Sequence, residues 1–358
     1  MHGTRLFGAA LLGFSLLVPV RARPENALPP RSSLENGLPE RPPAAGALPP
    51  RSSADKEVPG LPAAPGGAIP RPVPSPPNAV TRPGTNGRAR VPAFSAEAVL
   101  LLDAEGRTIY AKNAEVERAP ASLVKLMTLY LAFEAIEAGR ADLEQIVTVS
   151  AHAAATPRYR MGLRAGEEVP LRVLLEGVAI ASANDAATAV AEAIGGDEAT
   201  FVERMNARAR ELGLTGTRFT NPHGLPDAAQ RSTARDLARL TLRLLRDHPA
   251  ARTLLGGQTF VYRGRVYARH IPLFDDPLGV QALKTGFTNE AGYNLSVAAW
   301  RNGQQFVMIV LGSRSRALSF LDAKRLLRYG FIETGLDQPD DERPRPRKPA
   351  RARRARRN

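Results

Sequence analysis

Two residues of this chain are spaced for nucleophilic chemistry. They are Ser122 and Lys125, in the stretch Pro120-Ala121-Ser122-Leu123-Val124-Lys125-Leu126-Met127-Thr128. A serine hydroxyl attacks poorly until a base takes its proton, and a lysine held neutral is such a base. The stretch opens an apolar-rich segment, from Ser122 to about Ala138, that reads as a buried helix. Residues three apart share a helix face, so Ser122 and Lys125 are expected side by side one turn apart. Leu126 and Met127 supply apolar neighbours that help keep the amine neutral. Taken alone, Ser-x-x-Lys also fits an exposed helix start, because a four-residue pattern with two free positions recurs by chance. Two further motifs follow in chain order, Ser182-Ala183-Asn184 and Lys284-Thr285-Gly286. Each alone fits something bland, a helix cap for the first and a polar strand end for the second. The ordered set is what points to chemistry.

Composition removes several alternatives. The 358 residues are enough for one large domain or two ordinary ones, and 43% apolar content supports a substantial core. With no cysteine there is neither a disulfide framework nor a thiolate metal site or nucleophile. The five histidines form no His-x-x-x-His or similar pair, which argues against a histidine-rich metal site. The net charge of +14 is carried mostly by the ends: +6 in residues 1–90, +3 in 91–336 and +5 in 337–358. A central body so nearly balanced argues against a nucleic-acid-binding core.

The elements that must position the three motifs lie between Val91 and about Leu336. Ala98 to Asp103 and Thr108 to Tyr110 flank Glu105-Gly106 and read as a β-hairpin. After the Ser122 helix, Leu171 to Ala181 and Asp185 to Ile194 read as two helices joined at the Ser182 motif. Asp197 to Leu212 and Thr233 to Leu245 are amphipathic helices with arginine on their polar faces. Gly292 to Trp300 and Gln304 to Leu311 alternate around Asn302-Gly303, a strong hairpin signal, and a last helix runs from about Ala317 to Gly330. Strands at both ends with helices between them predict one antiparallel sheet, first and last strands adjacent, packed with helices.

Ser122-x-x-Lys125, Ser182-Ala183-Asn184 and Lys284-Thr285-Gly286 together resemble the motif trio of the penicillin-recognising serine acyl-transferases. The surrounding residues narrow the likeness. Ala121 to Thr128, Ser182 to Ala187, Asn221-Pro222-His223-Gly224-Leu225, Lys284 to Thr288 and Ala291-Gly292-Tyr293-Asn294-Leu295 look like D-alanyl-D-alanine carboxypeptidases over about residues 94–336. The resemblance implies an α/β (α+β) fold of the penicillin-binding transpeptidase/β-lactamase type, with a mostly helical lobe carrying Ser182. It implies that Ser122 attacks the penultimate D-alanine carbonyl of a peptidoglycan stem peptide and that Lys125 is its base. The nearby cation Lys284 is expected to lower the Lys125 pKa, since like charges disfavour protonation. Ser182 relays a proton to the departing amine, and Asn184 orients Lys125 or the substrate amide. Lys284 and Thr285 suit the substrate carboxylate, Gly286 keeps the strand edge uncluttered, and the oxyanion hole falls at the N–H groups of Ser122 and Phe287. Arg269, fifteen residues before Lys284, lies where the family often carries an arginine near the carboxylate pocket. His223 is expected to bond structurally, and no metal or cofactor is required.

Rival readings share this fold. A class A β-lactamase needs a glutamate roughly 36 residues beyond the Ser-x-Asn serine, and Thr217-Arg218-Phe219-Thr220-Asn221 supplies no acid there. A β-lactam is therefore expected to inhibit by leaving a lasting adduct. A D,D-endopeptidase cutting cross-links would use the same residues. A non-catalytic wall-binding protein is disfavoured by intact Ser122, Lys125 and Lys284.

Outside the body, residues 1–22 read as an export signal. Arg5 precedes an apolar run from Leu6 to Val20, and Val20-Arg21-Ala22 offers a cleavage site; an uncleaved anchor is the alternative. Periplasm or cell envelope is the expected location. Residues 23–90 repeat imperfectly every ten residues, with Ala-Leu-Pro-Pro-Arg-Ser-Ser at 27–33 and 47–53, and read as a disordered Pro-rich linker. Residues 337–358 read as a disordered Arg-rich tail in which 343–358 could touch anionic membrane or wall polymer; a solvated tail with no role is the alternative.

Overall fold

The computed structural model describes residues 90–338. The expected export segment 1–22, the Pro-rich stretch apart from Arg90, and the tail apart from Asp337 and Gln338 lie outside the described residues.

The body opens on the expected hairpin, β1 (Ala98–Asp103) and β2 (Thr108–Lys112). A 3₁₀ turn (Ala121–Val124) then leads into α1 (Lys125–Glu137). A helical lobe follows: β3 (Ile146–Thr148), α2 (Ala151–Ala155), β4 (Glu168–Pro170), α3 (Leu171–Glu176), a π turn (Gly177–Ala181), α4 (Asn184–Gly195) and α5 (Glu198–Glu211). The chain continues through α6 (Ala234–Asp247), α7 (Ala250–Gly256) and a small hairpin, β5 (Thr259–Tyr262) with β6 (Arg265–Ala268). It closes with β7 (Val280–Thr288), β8 (Gly292–Arg301), β9 (Gln304–Ser313) and α8 (Arg316–Glu333).

Five strands form one sheet in the order β2-β1-β9-β8-β7, and every pairing within it is antiparallel. The first and last strands are neighbours, as expected, with Leu100 opposite Ile309. The reason is in the side chains. β1 reads Ala-Val-Leu-Leu-Leu without polar alternation, which suits a strand covered on both faces. Val99 and Leu101 pack with Phe306, Met308 and Val310 against Phe320, Leu327 and Phe331 of α8. Ala98, Leu100, Val307 and Ile309 face the opposite way, into a core shared with α1, α4 and α6. Burying each such Leu, Ile or Phe contributes about 1.5–3 kcal/mol.

This layering places the motifs. α1 packs on α4 and α6, which fixes the 3₁₀ turn at its start against the outermost strand, β7. On β7, side chains alternate between faces, so Lys284 and Gly286 share the helix-side face with Ala282. Among the described residues no helix is long and apolar enough to cross a membrane.

Candidate active site

Ser122 does not open a regular α-helix. It sits in the 3₁₀ turn, and α1 begins only at Lys125. In a 3₁₀ turn residues three apart eclipse one another, and Lys125 Nζ lies 3.2 Å from Ser122 Oγ. The turn is held by neighbours distant in sequence. Asn294 on β8 donates from its amide to the carbonyls of Ala119 (3.1 Å) and Pro120 (3.2 Å) and accepts from the Gly312 N–H. Ala121 takes a left-handed φ of 49°. A non-glycine residue keeps that conformation only where its surroundings over-determine it. Gly224 supplies part of that constraint. A Cβ there would stand 2.1 Å from the Ala121 carbonyl oxygen, so only glycine lets the 221–225 turn close on the serine.

Lys125 is wholly buried. Its Nζ contacts Ser122 Oγ, Asn184 Oδ1 at 2.7 Å and the His223 carbonyl. Burial lowers its pKa to about 7, with the Asp185 carboxylate opposing the shift. Of the two expected causes, apolar surroundings and the neighbouring Lys284, the structure gives the part to desolvation. Lys284, also buried, is itself pushed well below its ordinary value, first by burial and then by the cations Lys125 and Arg269. A neutral amine has two N–H donors and one lone pair. With Asn184 Oδ1 and the His223 carbonyl taking the donors, the lone pair is left for the Ser122 hydroxyl.

Ser182 ends the π turn in a left-handed conformation, φ 56° and ψ 31°. π turns concentrate at functional sites, and nothing in Gly177–Ala181 announced one. The turn aims Ser182 Oγ at Lys284, which donates to it at 2.7 Å and to the Thr285 carbonyl at 2.9 Å. Thr285 is half-buried beside them. Asn184 is fully engaged: Oδ1 accepts from Lys125, Nδ2 donates to the carbonyls of Pro157 and Arg158, and its N–H donates to Tyr159. The amide orients Lys125. A Cβ at Gly286 would lie 3.1 Å from the Ser122 nitrogen, so this glycine keeps β7 close to the serine amide. Phe287 is next along β7, its ring 4.4 Å from that of Tyr293.

Ser122, Lys125, Ser182, Asn184, Lys284, Thr285, Gly286 and Phe287 thus converge. Arg269 stands behind them. Its guanidinium donates to the carbonyls of Gly257, Ala179, Leu283 and Leu255, and burial lowers its pKa to about 10. Four of its five N–H groups are spent on backbone, so it ties β7 to the π turn and lends positive charge to Lys284. His223 bonds through its backbone to Lys125, and its Nδ1 accepts from the Leu225 N–H. Burial pushes the imidazole down to about 3, so the ring stays neutral. Sequence reading gave no role to Asn294, Asp185 or the His223 carbonyl. Asn294 and Asp185 stood in quoted motifs, and that was the only signal. Among the described residues no group of three or more His, Asp or Glu is placed to hold a metal.

A family model described as D-alanyl-D-alanine carboxypeptidase matches residues 85–315. D-alanyl-D-alanine carboxypeptidase DacA of Escherichia coli (strain K12) is 36% identical over 249 residues, covering 67% of this chain and 62% of that protein. The D-alanyl-D-alanine endopeptidase of the same strain is 29% identical over 280 residues, covering 75% of this chain and 86% of its own. Penicillin binding protein 5 from Haemophilus influenzae superposes with a TM-score of 0.66 at 32% identity, over 68% of this chain and 73% of that one. The chain spans less than two thirds of the length of the carboxypeptidase relative. The family match holds Ser122, Lys125, Ser182, Asn184 and Lys284 and takes in more than half of the chain, which belongs to the D-alanyl-D-alanine carboxypeptidase family of serine peptidases.

Proposed function

We propose that this chain is a D-alanyl-D-alanine carboxypeptidase that removes the terminal D-alanine from peptidoglycan pentapeptide stems. One observation carries the reading: Lys125 Nζ has protein acceptors for both N–H groups of a neutral amine and meets Ser122 with what remains. The substrate carboxylate docks at Lys284 and Thr285, and its charge favours the protonated form of Lys284. That restored cation in turn disfavours protonation of Lys125, so substrate binding readies the base. Ser122 Oγ attacks the penultimate carbonyl and its proton passes to Lys125. The developing oxyanion is met by the N–H groups of Ser122 and Phe287. Collapse breaks the C–N bond, and a proton relayed through Ser182 leaves with D-alanine. Water then hydrolyses the ester on Ser122 and restores the enzyme. A β-lactam acylates the same oxygen, but its amine stays tethered and no acid lies at 217–221 to drive deacylation, so the adduct persists.

The second reading is a D,D-endopeptidase with the same catalytic residues, favoured by the greater share of the endopeptidase relative's length that aligns. Purified protein incubated with monomeric pentapeptide and cross-linked dimeric muropeptides, followed by mass spectrometry, separates the two. Loss of one alanine from the pentapeptide, absent in Ser122→Ala and after penicillin treatment, supports the carboxypeptidase. Splitting of dimers supports the endopeptidase, and no change in either substrate refutes both. On either reading residues 91–336 are the catalytic unit, 1–22 directs export to the periplasm or cell envelope, 23–90 is a spacer, and 343–358 holds the enzyme near anionic lipid or wall polymer.

A further inference from the structure

Asp185 is a fully buried carboxylate that the proposed reaction does not use. Its two oxygens accept the N–H groups of Met161 (3.0 Å), Gly162 (2.8 Å) and Leu163 (3.1 Å), and Oδ1 also accepts the Ala186 N–H. Three successive backbone N–H groups around one anion form a nest. Here the nest is filled by the protein's own side chain, and the helix start at α4 also favours negative charge there. The segment just before the nest holds the catalytic side. The carbonyls of Pro157 and Arg158 accept from Asn184 Nδ2, and that of Tyr159 accepts from Asn184 N–H. Asn184 Oδ1 in turn accepts from Lys125. Residues 157–163 are thus stitched to α4 from both sides, upstream by Asn184 and downstream by Asp185.

This segment does not hold its own shape. Arg158 and Tyr159 take left-handed φ values of 56° and 32°, unfavourable for residues with side chains. Such a conformation persists only where neighbours impose it; Asn184 bonds the 157–159 carbonyls directly, and Asp185 anchors the chain that follows them through three N–H groups. We propose that Asp185 is a positioning residue for the Ser122–Lys125 pair: by gathering the Met161–Leu163 N–H groups it fixes the 157–159 carbonyls, and through them the Asn184 amide that aims Lys125. A second consequence follows from charge. Lys125 is faced by Asp185 from α4, by Lys284 from β7, and by the neutral His223 ring from the 221–225 turn, while Arg160 approaches Asp185 at 3.8 Å. Among the described residues Asp185 is the negative group acting on the amine, and it works against the desolvation.

The turnover arm of the test rests on the peptidase reading; the titration arm does not. The chain has six lysines, few enough for 13Cε-lysine labelling of the whole protein to resolve Lys125 by NMR. Asp185→Asn keeps the shape and removes the charge and part of the nest. The Lys125 midpoint is expected to fall by about half a unit or more. Turnover per active Ser122 should fall about tenfold or more with KM within about twofold, because the loss is in orientation rather than in substrate binding. Asp322→Asn is the control, since Asp322 is an equally buried carboxylate holding Ser95 and Ala96 elsewhere in the fold. It should lower stability and leave both readouts in place. If Asp185→Asn does not fold, Gly162→Ala strains the nest by itself, because Gly162 has φ +83° and open space where a Cβ would go. It should lower turnover in the same sense at unchanged KM. A Lys125 midpoint and a turnover number unchanged in Asp185→Asn, or unchanged turnover in Gly162→Ala where only that variant folds, would overturn the proposal. So would loss of melting temperature alone.

Discussion

Replacing Gly224 by alanine should disable Ser122 without touching it. The added Cβ would lie 2.1 Å from the Ala121 carbonyl oxygen and 2.9 Å from the Ser122 nitrogen, whereas real Cβ contacts essentially never fall under 3.0 Å. Something must therefore move by at least 0.9 Å, the difference between 3.0 and 2.1 Å, and the atoms in the way are the backbone of Ala121 and Ser122. Misplacing a reacting group by about 1 Å costs on the order of 100-fold in rate. Stability falls as well. The left-handed φ of +85° costs alanine about 1–2 kcal/mol, and the overpacking adds about 1–3 kcal/mol. Gly303→Ala separates the two effects. Gly303 has a similar φ of +78° with nothing within 4 Å of the Cβ position, so only the conformational cost applies. The assay is the rate of Ser122 acylation by a fluorescent penicillin, beside thermal melts of both variants. Acylation of Gly224→Ala within threefold of wild type, at a melting temperature matching Gly303→Ala, would refute the reasoning.

The site carries four further expectations. Because burial brings Lys125 to about 7 from an ordinary 10.5, the unfolded chain binds more protons than the folded one between those values. This group's penalty is full below pH 7 and fades as pH rises through the window, so Lys125→Met should flatten that rise in melting temperature. Turnover should climb with pH through an acid limb near 7 as the amine deprotonates, and Lys125→Gln should cost about 10²–10⁴-fold in kcat/KM. Asn294→Ala removes both donors holding Ala119 and Pro120 and strands the Gly312 N–H. It should cost about 1–3 kcal/mol in denaturant melts and slow acylation at the same time. Lys284→Gln should lower kcat/KM about 10- to 100-fold on peptides with a free C-terminal carboxylate, and far less on the same peptide as an amide.

The side chains that converge at the site were legible in the sequence; contacts made by backbone were not. Ser122 and Lys125 announce themselves by spacing, and strands at both ends of the body with helices between them predict one antiparallel sheet with its first and last strands adjacent. The carbonyl of His223 carries no residue identity, so its part in saturating Lys125 had no sequence signal. Arg269 illustrates the converse. The family likeness placed it near the carboxylate pocket; nothing in the sequence signals that four of its N–H groups hold main-chain carbonyls. The left-handed Ala121 and Ser182 are also silent, because the positive φ values that glycine marks are imposed here by tertiary contacts. The β5–β6 hairpin escaped reading for a related reason. Its exposed Val261 and Val266, with arginines at 263 and 265, leave no clear one-sided pattern. Burial of Lys125 depends on α1, α4 and the 221–225 turn closing together, which local sequence does not express.

On the proposed mechanism, the burial also accounts for a lysine acting as the base. In water its amine would be protonated at neutral pH; inside the core, desolvation brings the two forms near balance, and fixed acceptors decide where the lone pair points. In the proposed reaction Ser122 is the nucleophile and Lys125 its base. The most direct measurement is the mass of the protein after brief exposure to penicillin, with the adduct mapped by proteolysis, in wild type, Ser122→Ala and Lys125→Gln. A single adduct on the fragment bearing Ser122, absent from Ser122→Ala and formed at least about 100-fold more slowly in Lys125→Gln, is the predicted result. Equal labelling of Ser122→Ala, or an unchanged rate in Lys125→Gln, would contradict it.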